Sequence, residues 1–337
     1  MDHIIAVVGA TTMLGRVVLN ALSEADFSYS NVVALSYSDS VGKSVSYGEK
    51  FNLTCESLDE YDFSQASIAI FTATDAISER YVREAAGRGC VVIDSSSFSR
   101  MEAGVPLIVP GVNSECIGMY KDGNIIATPC SMASQLIEVL FPLHKLVKIE
   151  RVVVSTYHSV SHACRSAMNE LYDQTKSIFM NGKVKPREFP RQVSFNCIPC
   201  VGEFADGDFT QEEVNISNET VKVLGGGIGV TATCVFVPVF VAHSAIINVE
   251  FSGYISKDEI LEAWGQGSDI LVIEKDSEMS YTTPIECVND SEVYVSRFRV
   301  DDTVPYGFSM WLVADNMSRT GRGLVQIAMI LIEEYLP

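Results

Sequence analysis

Residues 124–140, NIIATPCSMASQLIEVL, set a thiol beside a hydroxyl, Cys130 and Ser131, after Pro129 and just before a helix-like apolar pattern. An acyl-transfer nucleophile could sit at that point. Of the two groups a tuned thiol attacks better, because a hydroxyl without a strong base is essentially un-ionised at neutral pH. A second candidate is Gly9-Ala10-Thr11-Thr12-Met13-Leu14-Gly15, which joins an apolar run to a helical pattern. Its backbone N–H groups and the helix N-terminus suit a pyrophosphate. Thr12 stands where a G-x-G-x-x-G loop has glycine and adds a side chain where backbone and phosphate must approach; the competing reading is a tight turn alone. Ser36 and Asp39 follow the second apolar run, and a carboxylate there accepts from a ribose 2′-OH whereas a 2′-phosphate demands a cation. Asp39 therefore favours NAD over NADP, unless it is simply a solvated loop residue. Cys197 and Cys200 have C-x-x-C spacing, but with no second pair and a proline between them they read as structural thiols.

The elements that must carry these groups alternate in a recognisable order. HIIAVVGATTMLGRVVLNALSE reads as strand, glycine turn and helix. Strands at 31–38, 67–74 and 90–97, with a helix through SERYVREAAGRG, continue the pattern of a doubly wound parallel sheet. After about residue 130 come a helix over 132–146, the strand RVVVSTYHSV, a helix from Ala163 to Phe179 and long β-rich segments, an α+β style. Val230 to Val249 is the most membrane-like stretch, yet Pro238, His243 and its β-branched residues make it a strand pair or one long bent strand. The expected fold is α/β: a Rossmann-like dinucleotide-binding domain over 1–130, an α+β substrate and dimerisation domain over 131–312, and a C-terminal helix over 313–337 packing back on the first domain.

With 337 residues and 47% hydrophobic content the chain is large enough for two cores. Its 43 acidic against 24 basic residues give a net charge of -19, which argues against nucleic acid and anionic membrane as partners. The apolar run begins right after Met1-Asp2-His3 without a basic leader, and nine cysteines lack a disulfide-framework spacing, so a cytoplasmic location with reduced thiols is expected.

Nine ordered blocks then resemble the aspartate-semialdehyde dehydrogenase family from end to end: GATTMLG, SDSVGK, VVIDSSSFSRM with VPLIVPGVN, IIATPCSMASQL, VVVSTYHSVSHA, FPRQVSFNCIP, NETVKVLG, CVFVPVFVAHS and WLVADN. The resemblance implies interconversion of aspartyl phosphate and aspartate semialdehyde, in aspartate-family amino-acid biosynthesis, through a cysteine thioester, a nicotinamide cofactor and bound phosphate. It implies a homodimer. It gives His243 the acid/base role, Arg100 the phosphate side, Glu219 and Lys222 the substrate contacts, and Asn316 a place near the nicotinamide. In the same register the family's nucleophilic cysteine falls on Ser131, with Cys130 one position before it. The family's glutamine falls on His158, a glycine on His162, and the arginine that grips the substrate carboxylate on Phe236.

These departures place the chain nearest to paralogues that lack the catalytic cysteine, and they lead to an expectation of weak standard dehydrogenase activity. A silent or repurposed dimeric paralogue, with a binding or regulatory role, is the alternative. An oxygen ester on Ser131 would be a weaker hydride acceptor than a thioester, and Cys130 could act only with the loop shifted by one residue. Two further readings use the histidines: a Ser131–His158–His243 hydrolytic arrangement, without the G-x-S-x-G elbow that would support it, and zinc on His158, His162 and His243. The i,i+4 pair of that set lies at a strand end, where the two side chains need not share a face, so no metal ligand is assigned.

Overall fold

The computed structural model describes residues 3–28, 31–266, 269–275 and 280–336. Met1 and Asp2, on which the reading of an absent leader began, lie outside the described residues. The chain divides into two compact units, Met1–Ser134 with Thr320–Pro337, and Gln135–Arg319.

In the first unit β1 (Ile5–Val8) runs into α1 (Met13–Glu24), followed by β2 (Val32–Ser36), a small antiparallel pair β3 (Ser44–Tyr47) and β4 (Phe51–Thr54), and β5 (Glu56–Ser57). Next come β6 (Ile68–Phe71), α2 (Asp75–Gly87), β7 (Val91–Asp94) and β8 (Ile125–Ala127). The sheet order is β5-β2-β1-β6-β7-β8, with every pair parallel. Strands covered on both faces must be apolar at every position, and β1, β6 and β7 are buried throughout. The order reverses direction at β1, so the crevice beyond the carboxyl ends of β1 and its neighbours is where this architecture holds a ligand.

The last helix returns to this unit. α3 (Ser131–Leu146) carries the chain out, and α7 (Asn316–Ile330) brings it back. Leu324, Val325, Ile327, Ala328 and Leu331 pack in one apolar cluster with Val18, Leu19 and Leu22 of α1. Gly321 permits the approach, since a Cβ there would stand 2.5 Å from a methyl of Val17.

The second unit is built on a mixed six-stranded sheet. Its elements are β9 (Ile149–His158), α4 (Arg165–Phe179), α5 (Gln211–Leu224), β10 (Gly229–Phe236), β11 (His243–Phe251), α6 (Lys257–Gly265), β12 (Ile270–Ile273), β13 (Val293–Asp301) and β14 (Gly307–Ala314). The order is β10-β9-β11-β14-β13-β12. Residues 230–249 thus form two strands that do not pair with each other, because β9 lies between them, parallel to β10 and antiparallel to β11. Glu213 takes up the amide of Cys234 on edge strand β10 and, by accepting from Thr210 N, also caps α5. Among the described residues no helix is long and apolar enough to cross a membrane.

Candidate functional site

Two groups of side chains stand out, one in each unit. In the first, Gly9 follows β1 with φ +82, in the left-handed region that glycine tolerates. A Cβ on Gly15 would lie 2.2 Å from the Gly9 carbonyl oxygen, so the turn closes this tightly because both ends are glycine. Thr12 is the N-cap of α1: its hydroxyl accepts from Gly15 N at 2.9 Å and donates to Thr72 O at 3.1 Å. The hydroxyl is thereby engaged within the turn. Thr11, Met13 and Leu14 complete the loop and the first helical turn, whose amides an α-helix leaves without internal acceptors. Ser36 ends β2 with its hydroxyl buried and, among the described residues, without a hydrogen-bond partner. A pre-formed glycine cradle and an orphaned hydroxyl at neighbouring strand ends fit a dinucleotide. Asp39 is exposed on the short 3-10 turn that follows.

The same unit holds Cys130 at the start of α3. Its carbonyl accepts from Ser134 N at 2.9 Å and its Sγ from Ala133 N at 3.4 Å, so the thiol itself caps the helix. Ser131 is the first residue inside the helix, half-buried. Arg100 is buried and donates from Nε to Thr128 O at 3.0 Å and from Nη2 to Ser95 O at 2.7 Å, which fixes the strand leading to Pro129 and Cys130. All nine cysteines are unbridged thiols. Burial pushes Cys90, Cys234 and Cys287 up to about 12, which leaves them inert at neutral pH. Cys197 is exposed, and the Cys200 thiol donates to Gly202 O.

In the second unit one end of the sheet gathers the histidines. Strand parity puts His158, Phe236 and His243 on one face: Phe236 pairs with His158 across β10 and β9, while Ser244 pairs with Tyr157 across β11 and β9. After β9 the chain turns through a short 3-10 segment, Val160–His162, held by Val160 N to Val239 O at 2.9 Å and Ser161 N to Phe240 O at 3.0 Å. That turn carries His162 back over His158, with ring centroids 4.7 Å apart. His158 and His243 are 4.6 Å apart by the same measure, and His162 and His243 5.5 Å. Ala242, just before His243, has φ +70, a strained conformation for a residue with a Cβ.

His158 and His243 are fully buried. Burial first, then the neighbouring imidazoles, holds both well below the usual histidine range, so they are neutral at pH 7. Among the described residues neither nitrogen of His158, nor Nε2 of His243, has a hydrogen-bond partner. Such atoms cost about 1–3 kcal/mol each when left unpaired. Around Nδ1 of His243 runs a chain of hydroxyls: Ser159 Oγ at 3.1 Å, then Ser161 Oγ at 2.9 Å, then Asn316 Oδ1 at 3.1 Å. An amide oxygen only accepts, so Ser161 donates to Asn316 and Ser159 donates to Ser161. The Ser159 amide also donates to Nδ1, at 3.3 Å.

Asn316 is fixed by its neighbour Asp315, whose carboxylate accepts from Met317 N, Ser318 N and Asn289 N. On α5, Glu219 is buried and Lys222 half-buried, so they are not an ordinary solvated pair. Desolvation lowers the Lys222 ammonium from its usual range, against the opposing pull of Glu219. Phe236 is buried, its ring 5.1 Å from that of Phe189. The 3-10 turn puts the i,i+4 histidines on one side, and the candidate ligand atoms of His158, His162 and His243 lie within 4.8 Å of one another. The reading from sequence also passed over Ser159, Ser161 and Glu212, the last with Oε1 4.0 Å from Nε2 of His162. Serines after a strand carry no spacing signal, and Glu212 reaches the cluster from a helix fifty residues away in the chain.

A parallel dinucleotide-type sheet joined to a mixed-sheet unit, with a helix returning to the first, is the architecture of a nicotinamide-dependent dehydrogenase. Residues 4–120 match the semialdehyde dehydrogenase NAD binding domain, and residues 140–319 the semialdehyde dehydrogenase dimerisation domain. The chain is 40% identical over 334 residues to the aspartate-semialdehyde dehydrogenase of Rickettsia bellii, covering 98% of both chains. It is 37% identical over 341 residues to that of Aquifex aeolicus, covering 100% of both. The crystal structure of aspartate semialdehyde dehydrogenase II of Vibrio cholerae complexed with ASA matches with a TM-score of 0.95 and 32% identity, over 99% of each chain. The chain belongs to the aspartate-semialdehyde dehydrogenase family. The comparisons lend no support to a catalytically silent paralogue.

Proposed function

We propose that this protein interconverts an acyl phosphate and an aldehyde with a nicotinamide cofactor, as aspartate-semialdehyde dehydrogenases do, and that Cys130 is its nucleophile. One observation carries the choice of Cys130 over Ser131: its Sγ accepts the Ala133 amide at the N-terminus of α3. In the reductive direction the thiolate attacks the acyl carbon, the C–O bond to phosphate breaks, and inorganic phosphate leaves with both bonding electrons. The nicotinamide, when bound, supplies the hydride that reduces the thioester carbon. Collapse of the resulting tetrahedral species releases the aldehyde and returns the thiolate. The proton transfer is assigned to His243 by the family resemblance.

Gly9 to Gly15 and Ser36 would hold the cofactor phosphates and ribose, with Asp39 favouring NAD. Arg100, Glu219 and Lys222 are assigned to phosphate and substrate by the family resemblance. Phe236 offers a carboxylate no charge, so substrates with an α-carboxylate bind weakly. The mixed sheet is proposed to pair with its copy in a homodimer through the face of Tyr157, Ile246 and Trp311, in a protein of the cytoplasm. Ile246 is 40% exposed there although it sits mid-strand. The experiment is phosphate-dependent NAD reduction by aspartate semialdehyde with Cys130→Ala and Ser131→Ala. Loss with the first and retention with the second supports the assignment; the reverse pattern refutes it.

A further inference from the structure

We propose that His158, His162 and His243 form a binding site for one divalent transition-metal ion, Zn2+ by its ligand chemistry, with a fourth position open to water or a small anion. Three imidazoles lie together with candidate ligand atoms within 4.8 Å. Two of them are fully buried, and both nitrogens of His158 and Nε2 of His243 meet no protein partner among the described residues. A buried polar atom without a partner is a vacancy in the hydrogen-bond inventory, and a metal ion satisfies the lone pairs of all three rings at once.

The surroundings prepare the rings of His243 and His162 for coordination. An imidazole ligand needs its other nitrogen protonated and engaged by an outer acceptor. Nδ1 of His243 is held by Ser159, backed by Ser161 and Asn316, which leaves Nε2, without a partner among the described residues, as the candidate ligand atom. For His162, Oε1 of Glu212 faces Nε2 at 4.0 Å, is buried, and has no hydrogen-bond partner among the described residues. It is placed to take the ring proton after a small closure and to offset part of the ion's charge. Zn–N bonds of about 2.0–2.1 Å in a tetrahedral site hold ligand nitrogens roughly 3.3 Å apart. The contraction from the observed spacing is supplied by His162, which is half-buried on a three-residue turn.

The donor set selects the metal class. Neutral imidazoles suit zinc, copper, iron and nickel and leave magnesium and calcium, which demand oxygen, unbound. Three histidines with one open position is the arrangement in which zinc holds an exchangeable water. Coordination commits the Nε2 lone pair of His243, so the proton transfer assigned to it above belongs to the metal-free protein.

The test uses the full-length protein, stripped with a chelator and titrated with Co2+ and then Zn2+ by calorimetry and visible absorption. One equivalent of Co2+ giving the intense d–d bands of a four-coordinate site, displaced by Zn2+, is the expected result. His162→Gln, at a partly exposed position, should weaken binding by more than the about 10–100-fold that loss of an outer-shell partner costs, and Ser161→Ala by about that range. His158→Gln should do as His162→Gln does; should it fail to fold, His162→Gln decides. The double change Cys197→Ser, Cys200→Ser should leave binding unchanged. Absence of Co2+ uptake at micromolar protein, or uptake unaffected by His162→Gln, overturns the proposal, and neither readout depends on dehydrogenase turnover.

Discussion

At the scale of single residues, the choice between two neighbouring side chains rests on where the helix begins. Ser131 is already inside α3, and the Cys130 sulfur accepts a first-turn amide through its side chain. That difference is not legible in the string PCSM, because a cap is defined by the backbone on both sides of it. Phe236 is the other residue on which the outcome turns. Arginine there would give a carboxylate two charge-assisted bonds, worth about 1.5–3 kcal/mol for a hydrogen bond to a charged group. Phe236→Arg should therefore lower KM for aspartate semialdehyde by about 10–100-fold, by the same arithmetic. It should also lower Tm, since without substrate a buried guanidinium replaces a ring packed on Phe189. Steady-state kinetics and a melting curve check both, and an unchanged KM would show that the substrate carboxylate does not reach this position.

At the scale of elements, the glycine turn and the sheet edge do the positioning. Gly15→Ala puts a Cβ 2.2 Å from Gly9 O, where backbone must shift, so a cost of about 1–3 kcal/mol is expected and cofactor affinity should fall with it. A thermal melt and a cofactor titration report the two losses; a variant with unchanged Tm and affinity would mean that α1 does not need this close packing. The alternation of strand and helix through residue 97 was readable from apolar runs and turn residues, since parallel strands buried on both faces leave a strong pattern. The pairing of β10 and β11 was not. A long apolar stretch with a proline suggests adjacent strands, whereas insertion of β9 between them depends on residues eighty positions earlier. The histidine cluster follows from that same insertion, together with the turn at Val160–His162, and a spacing of four at a strand end records neither.

At the scale of the whole molecule, assembly, cofactor choice and metal binding act on the complete chain. Ile246→Asp should convert the protein from dimer to monomer by light scattering, because it puts a charge in the middle of an apolar sheet face; a dimer that persists would place the interface elsewhere. Asp39 should make NAD bind more tightly than NADP in parallel titrations, and Asp39→Ala should narrow the difference; tighter NADP binding by the unaltered protein would remove Asp39 from the cofactor site. Zinc should suppress turnover and a chelator restore it, as both zinc and proton transfer need the same lone pair of His243. Most direct for the central claim is the phosphate-dependent oxidation of aspartate semialdehyde by the chelator-stripped protein, followed by mass spectrometry of the intact chain after quenching. Turnover with an acyl adduct on Cys130, kept in Ser131→Ala and absent in Cys130→Ala, is the expected result. Turnover that survives Cys130→Ala, or an adduct on Ser131, would contradict it.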